Sequence, residues 1–170
     1  VPLDVQLNVE KFSDCLNRSD VDILFYDWEH HPLVEGTKEH CPRVRSYISL
    51  QHGKHVPCSD NILKEYAGRT VTPNVSENDC AMILFTSGTT GQGKGVMLSN
   101  RNLIDNTFSS KNSNYSDDEI FLNILPIHHI FCITSDVLVA MRHGILLCLN
   151  QDMSKLAQHL RLFEPTSFRV

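Results

Sequence analysis

Leu84-Phe85-Thr86-Ser87-Gly88-Thr89-Thr90-Gly91-Gln92-Gly93-Lys94-Gly95-Val96-Met97-Leu98 is a loop held between two apolar runs. Ala81 to Phe85 reads as a buried strand. Eight of the ten residues that follow are Thr, Ser or Gly, and Lys94 is the one charge among them. Glycines at 88, 91, 93 and 95 take away the side chains that would keep a ligand from the backbone. Successive backbone N–H groups in such a turn form a nest for an anion. The hydroxyls of Thr86, Ser87, Thr89 and Thr90 add donors, and Lys94 adds a full positive charge. The ligand that suits this set is a phosphate chain.

Working outward from the loop, strands and helices alternate. Upstream, Asn8 is placed to cap a helix carrying Val9, Phe12 and Leu16 on one face. A strand is expected over 21–26, and Pro32 opens a short helix that runs to about His40. A second strand spans 44–50, and a short helix over 60–66 is stopped by Gly68. Downstream, Ser99 caps a helix with Leu103, Ile104, Thr107 and Phe108 on one face. Strands follow over 120–125 and 144–149, separated by an apolar helix over 130–141. Ser154 caps a last helix carrying Leu156, Leu160 and Phe163, with Pro165 past its end. The alternation implies βαβ units: an α/β fold with a mostly parallel sheet and helices on both faces. Ligands in such sheets sit beyond the carboxyl ends of the strands, where the 86–95 loop falls.

Thr86-Ser87-Gly88-Thr89-Thr90-Gly91 followed two residues later by Gly93-Lys94-Gly95-Val96 resembles the phosphate-loop signature of the adenylate-forming, or AMP-binding, enzymes. Most members of that superfamily have Pro where this chain has Gly93. A second segment, Leu125-Pro126-Ile127-His128-His129, resembles the histidine segment of the same superfamily, in the form seen in bacterial long-chain fatty acyl-CoA synthetases. The resemblance implies a subdomain of the large N-terminal domain, with residues 1–170 all part of it. It implies a two-step ligase that uses ATP, Mg²⁺ and coenzyme A on a small carboxylic acid, in this form a fatty acid. By the same resemblance, Thr86, Ser87, Gly88, Thr89, Thr90, Gly91, Gly93 and Lys94 hold the phosphates. Lys94 and His129 are the catalytic candidates, His129 beside the carboxylate, and Phe131 lies near the acyl or pantetheine channel. The segments that contact adenine and ribose, bind Mg²⁺ and supply the catalytic Lys of the C-terminal domain are expected beyond position 170.

Two other readings compete. Gly88 to Gly95 is one residue from the Walker A pattern, but Gly95 stands where that pattern needs a hydroxyl for Mg²⁺, and the next residues look like strand, not helix. A non-catalytic nucleotide-binding or regulatory module would keep the loop without the chemistry.

The remaining features narrow the class. A charged content of 21% and an apolar content of 41% are ordinary for a globular chain of 170 residues. A net charge of −5 and the lack of a Lys/Arg run argue against general nucleic-acid binding. The apolar stretch around 130–149 is broken by Asp136, Arg142 and His143, so no transmembrane span is expected, and no signal peptide is visible. Six scattered cysteines without a Cys-x-x-Cys pair read as reduced thiols of a cytoplasmic protein. His52, His55 and Cys58, with Cys41 upstream, do not make a common zinc pattern, so no metal site is expected. The acidic run Asp117-Asp118-Glu119 reads as a solvated turn. A start at Val1 and a finish within an apparent strand suggest a piece of a longer protein.

Overall fold

The computed structural model describes residues 1–51, 56–86, 93–109, 115–116, 118–150 and 152–168. The chain divides into two compact units. The first holds residues 3–75 and 85–96, and the second holds 76–84 and 97–170.

In the first unit, helix α1 (Val9–Arg18) starts where the sequence places it. The Asn8 side-chain oxygen accepts from the Lys11 N–H at 2.9 Å, which satisfies one of the free donors of the first turn. Phe12 and Leu16, four apart, bury the same face, and Leu16 is 1% exposed. They pack with Cys41 and Val44, and Leu3, Leu7, Val21, Leu24, Leu33 and Tyr47 close around them. Helix α2 (His31–Thr37) has Pro32 in its first turn and is flanked by two 3₁₀ turns, Trp28–His30 and Lys38–His40. Its close approach to α1 needs Gly36, where a Cβ would stand 3.1 Å from a Val9 methyl. Strand β1 (Ile23–Tyr26) and strand β2 (Ser46–Ser49) pair in parallel, from Ile23 opposite Ser46 to Tyr26 opposite Ser49. Helix α3 (Ser59–Glu65) ends at a Tyr66 cap with negative φ, and Gly68, at φ +77°, turns the chain two residues further on.

Strand β3 (Cys80–Thr86) pairs with strand β4 (Lys94–Ser99), and the glycine-rich loop joins them. Lys94 therefore opens a strand. A Walker loop runs straight into a helix, so its structural context is missing and that reading falls.

In the second unit, helix α4 (Asn100–Ser109) begins after Ser99, as expected. The Ser99 hydroxyl accepts from the Asn102 N–H at 3.2 Å, and the Asn102 side-chain oxygen accepts from the Ser99 N–H at 3.0 Å. This reciprocal pair is a capping box with Asn in place of Glu. The apolar face of α4 is less covered than its pattern implies: Thr107 is its one buried residue, while Ile104 and Phe108 are half-exposed. Strand β5 (Ile120–Asn123) lies between strand β6 (Leu146–Leu149) and strand β7 (Ser167–Phe168), parallel to both. Phe121 packs with Val139 and Ala140 under Tyr115, Ile145 and Leu147.

The helix expected over 130–141 forms over 130–143 but is not uniform. It runs as α5 (Ile130–Cys132), a wide π-helical turn over Ile133–Val137, and α6 (Leu138–His143), closed by Gly144 at φ +69°. The last helix, α7 (Leu156–Phe163), is led in by a 3₁₀ turn over Met153–Lys155. The cap of that turn is Asp152, not Ser154, because the Asp152 carboxylate accepts from the Ser154 N–H at 2.9 Å. The hydroxyl of Ser154 is hence not the group that starts the helix. Parallel pairing is present as expected, but it is divided among short sheets: β1 with β2, and β6 with β5 and β7. Among the described residues no helix is long and apolar enough to cross a membrane.

Two stability changes follow from this packing. Leu16→Ala empties a fully buried site and is expected to lower stability by about 2–5 kcal/mol in a urea melt. At Gly93 the fold reverses what the sequence suggests. Proline there could stabilise the chain if the backbone accepted it, but a Cβ at this position would stand 2.8 Å from the Thr86 carbonyl oxygen. Gly93→Pro is therefore expected to destabilise by roughly 1–3 kcal/mol. A midpoint that rises would mean that the Thr86 carbonyl moves aside freely.

Candidate functional site

The two feet of the glycine-rich loop lie side by side. Thr86 is the last residue of β3, and its hydroxyl donates to the Lys94 carbonyl at 3.5 Å. The Cβ position of Gly93 is in contact with the Thr86 carbonyl and lies 3.9 Å from Phe85 Cβ. Any side chain at 93 would push the feet apart. Thr86 and Lys94 are both exposed, so the hydroxyl and the ammonium face solvent at the mouth of the loop. Ser87, Gly88, Thr89, Thr90 and Gly91 lie outside the described residues. Of the predicted phosphate set, the structure places Thr86, Gly93 and Lys94 together.

Sequence reasoning missed the residue that holds this turn. Arg18, in the last turn of α1, donates to the Gly93 carbonyl at 2.7 Å. Its guanidinium lies 5.3 Å from the centre of the Phe85 ring, and Asp14, one turn back on α1, accepts from it at 3.1 Å. One planar cation thus touches both sides of the loop: Phe85 before it and Gly93 after it. The Asp14 pair is exposed and adds only about 0.3–0.5 kcal/mol. The stacking on Phe85 adds about 0.5–1 kcal/mol. The position of Arg18 carried no local signal, since 75 residues separate it from Gly93.

The histidine segment belongs to the second unit. The backbone turns after Pro126, whose carbonyl accepts from the His129 N–H at 3.0 Å. His129 is the N-cap of α5, with extended backbone, and its carbonyl accepts from the Ile133 N–H at 3.2 Å. The His129 side chain is exposed and does not cap the helix. The His128 ring lies against it, with centroids 4.5 Å apart. Phe131 is half-exposed. A ring at a helix N-terminus, free of a capping bond, is available to meet an anionic group.

Below this surface sits a buried polar cluster that the sequence did not announce. Asn123 at the end of β5 donates through its amide nitrogen to Asp136 at 3.0 Å and to the Cys132 sulfur at 2.9 Å. Asn123 is 3% exposed, Asp136 2% and Cys132 0%. Burial pushes the Cys132 thiol up, the Asp136 carboxylate pushes it the same way, and the Asn123 hydrogen bond opposes both. Cys132 is thus held as a neutral thiol, not a nucleophile.

The other singled-out groups take structural roles. Cys41 is buried, and its thiol faces the Ser13 carbonyl at 3.8 Å, while Cys58 is buried at the start of α3. His52 and His55 lie outside the described residues. Glu119 accepts from the Thr166 hydroxyl and so ties the entry of β5 to the entry of β7. An open apolar groove of about 400 Å³ runs beside α4, lined by Leu103, Ile104, Phe108, Leu138, Met141 and Arg142. None of the predicted site residues line it.

Comparison with known proteins now bears on this geometry. The chain is 27% identical to a crotonobetaine/carnitine–CoA ligase of Salmonella enteritidis over 98% of its own length and 34% of that protein's. It spans about a third of the curated relatives it matches. Its fold superposes on the anthranilate CoA ligase AuaEII, solved in complex with anthranoyl-AMP, with a TM-score of 0.87 at 14% identity, covering 98% of this chain and 34% of that one. A luciferase-like enzyme from the mealworm Zophobas morio gives 0.83 at 20% identity, over all of this chain and 40% of that one. These neighbours share the α/β fold of this chain. The profile of the AMP-binding enzymes matches residues 1–168, and the chain belongs to that family.

Proposed function

We propose that the full-length protein is an AMP-forming acid–thiol ligase that activates a carboxylic acid with ATP and transfers the acyl group to coenzyme A. The observation that carries this reading is the closure of Gly93 on the Thr86 carbonyl, with Thr86 and Lys94 exposed beside it. Membership of the AMP-binding family and the likeness to CoA ligases support it.

In the first step a carboxylate oxygen attacks the α-phosphorus of ATP. The new P–O bond forms as the bond to the β-phosphate bridging oxygen breaks, and pyrophosphate leaves. Such a displacement needs positioning and charge stabilisation more than covalent help. Thr86, Ser87, Thr89 and Thr90, with the N–H groups around Gly88, Gly91 and Gly93, would hold the β- and γ-phosphates. Lys94 would offset the charge that grows on the departing pyrophosphate. His129, exposed at the start of α5, would meet the carboxylate and orient it for attack. In the second step the sulfur of coenzyme A attacks the acyl carbon and AMP leaves. Mg²⁺ would enter with the nucleotide. That ion is usually held by substrate phosphates, waters and one or two carboxylates.

The acid is the finer question. The Pro126-Ile127-His128-His129 segment supports a fatty acyl substrate. The similar ligases for crotonobetaine/carnitine and for anthranilate mark the range that the test has to cover.

ATP–pyrophosphate exchange by the full-length protein, with acids from acetate to palmitate and an aryl acid, decides the matter. Exchange is expected to depend on one class of acid. Lys94→Ala is expected to lower kcat by about 10²-fold or more, the scale seen on removing one stabilising donor. Nucleotide binding without exchange for any acid would identify a non-catalytic nucleotide-binding module instead. The 170 residues alone, about a third of a curated relative, are expected to give no exchange.

A further inference from the structure

Asn123 is placed to govern the histidine segment without touching its surface. Its backbone is locked in the sheet: Asn123 stands opposite Leu149 in the β5–β6 pairing, and its carbonyl accepts from the Asn150 N–H at 3.0 Å. Its amide carries two hydrogens and has two acceptors, Asp136 and Cys132, on the helical run that starts at His129. Cys132 and Asp136 stand four residues apart on that run, so both face the same donor. The run includes the π-helical turn over Ile133–Val137. An extra residue in a helical turn is disfavoured, and such turns occur often at functional sites. The start of that run is fixed in its turn, with the Ile133 N–H on the His129 carbonyl and the Thr134 hydroxyl on the Ile130 carbonyl at 3.0 Å. The helical run that follows His129 is therefore tied to the end of β5 by one amide side chain.

We propose that Asn123, through its bonds to Asp136 and Cys132, is a positioning residue that sets the direction of the His129 ring toward the carboxylic acid. The proposal rests on the ligase reading for its kinetic consequence and on the geometry alone for its structural one. A packing role would ask only that the buried Asp136 find a donor. A positioning role asks in addition that loss of the amide be felt at His129 and at one of the two substrates.

The test uses the full-length enzyme. Asn123→Leu keeps the branching and heavy-atom count of the side chain and removes both hydrogen bonds. It is expected to lower kcat/KM for the acid about tenfold while KM for ATP stays within about twofold, and to add nothing in a His129→Ala background. Additive effects of the two substitutions, or equal losses for acid and ATP, would overturn the proposal. The imidazole NMR signals of His129, assigned through His129→Ala, are expected to move in Asn123→Leu. Unchanged His129 signals in a folded variant would also overturn it. Asn123→Ser, which shortens the side chain and breaks the same bridge, takes the place of Asn123→Leu if the latter does not fold. Lack of exchange by the wild type with any acid would sink the ligase reading alone, because the NMR comparison needs no turnover and still decides the role of Asn123.

Discussion

The contact between the backbone of Gly93 and the carbonyl of Thr86 is the constraint on which the candidate phosphate site depends. Six residues separate the two, and the chain must leave β3 and return to β4 with its feet touching. A loop closed this tightly has its ends fixed before any ligand arrives, which lowers the ordering that binding would otherwise demand. Close approach has a second effect. It leaves no room for a Cβ, so stiffening by proline at this position conflicts with the backbone opposite. Here the stiffness comes from outside the loop. Arg18 bonds the carbonyl of Gly93 and stacks on Phe85, so a helix of the first unit holds both feet.

The parts of the fold legible in the sequence are those set by short-range chemistry. Asn8 caps α1 because its side-chain oxygen reaches an N–H three residues on. Ser99 starts α4 for the same reason, and Gly144 ends α6 because it adopts positive φ. Alternation of strands and helices gave the parallel pairing. The loop and the histidine segment were legible as strings of residue types, and that was enough to point to the family. What stayed hidden depends on partners far away. Arg18 and Gly93 are 75 residues apart, and nothing around Arg18 separates it from an ordinary basic residue at a helix C-terminus. The division of the pairing among short sheets is set by packing, not by strand pattern. Asp152 displaced Ser154 as the cap because a 3₁₀ turn comes first, a choice that residue types alone leave open. The half-exposed Ile104 and Phe108 show the limit of periodicity: it identifies an apolar face but not what covers it.

The second unit adds a different lesson about polar residues in a core. Asn123 and Asp136 look, as single letters, like surface residues, and the run 130–141 looks like a plain apolar helix. Burial reverses both impressions. An Asn placed where β5 ends has no water to bond, so its amide must find acceptors in the protein. It finds them on one face of the helix after His129, where Cys132 and Asp136 stand four residues apart. An apolar core could close the same gap with a Leu and a regular helix, and would do so without a polar group to satisfy. What an apolar contact lacks is direction. A two-pronged amide bonds two points of the helix at once, and so constrains its rotation as well as its distance from the sheet.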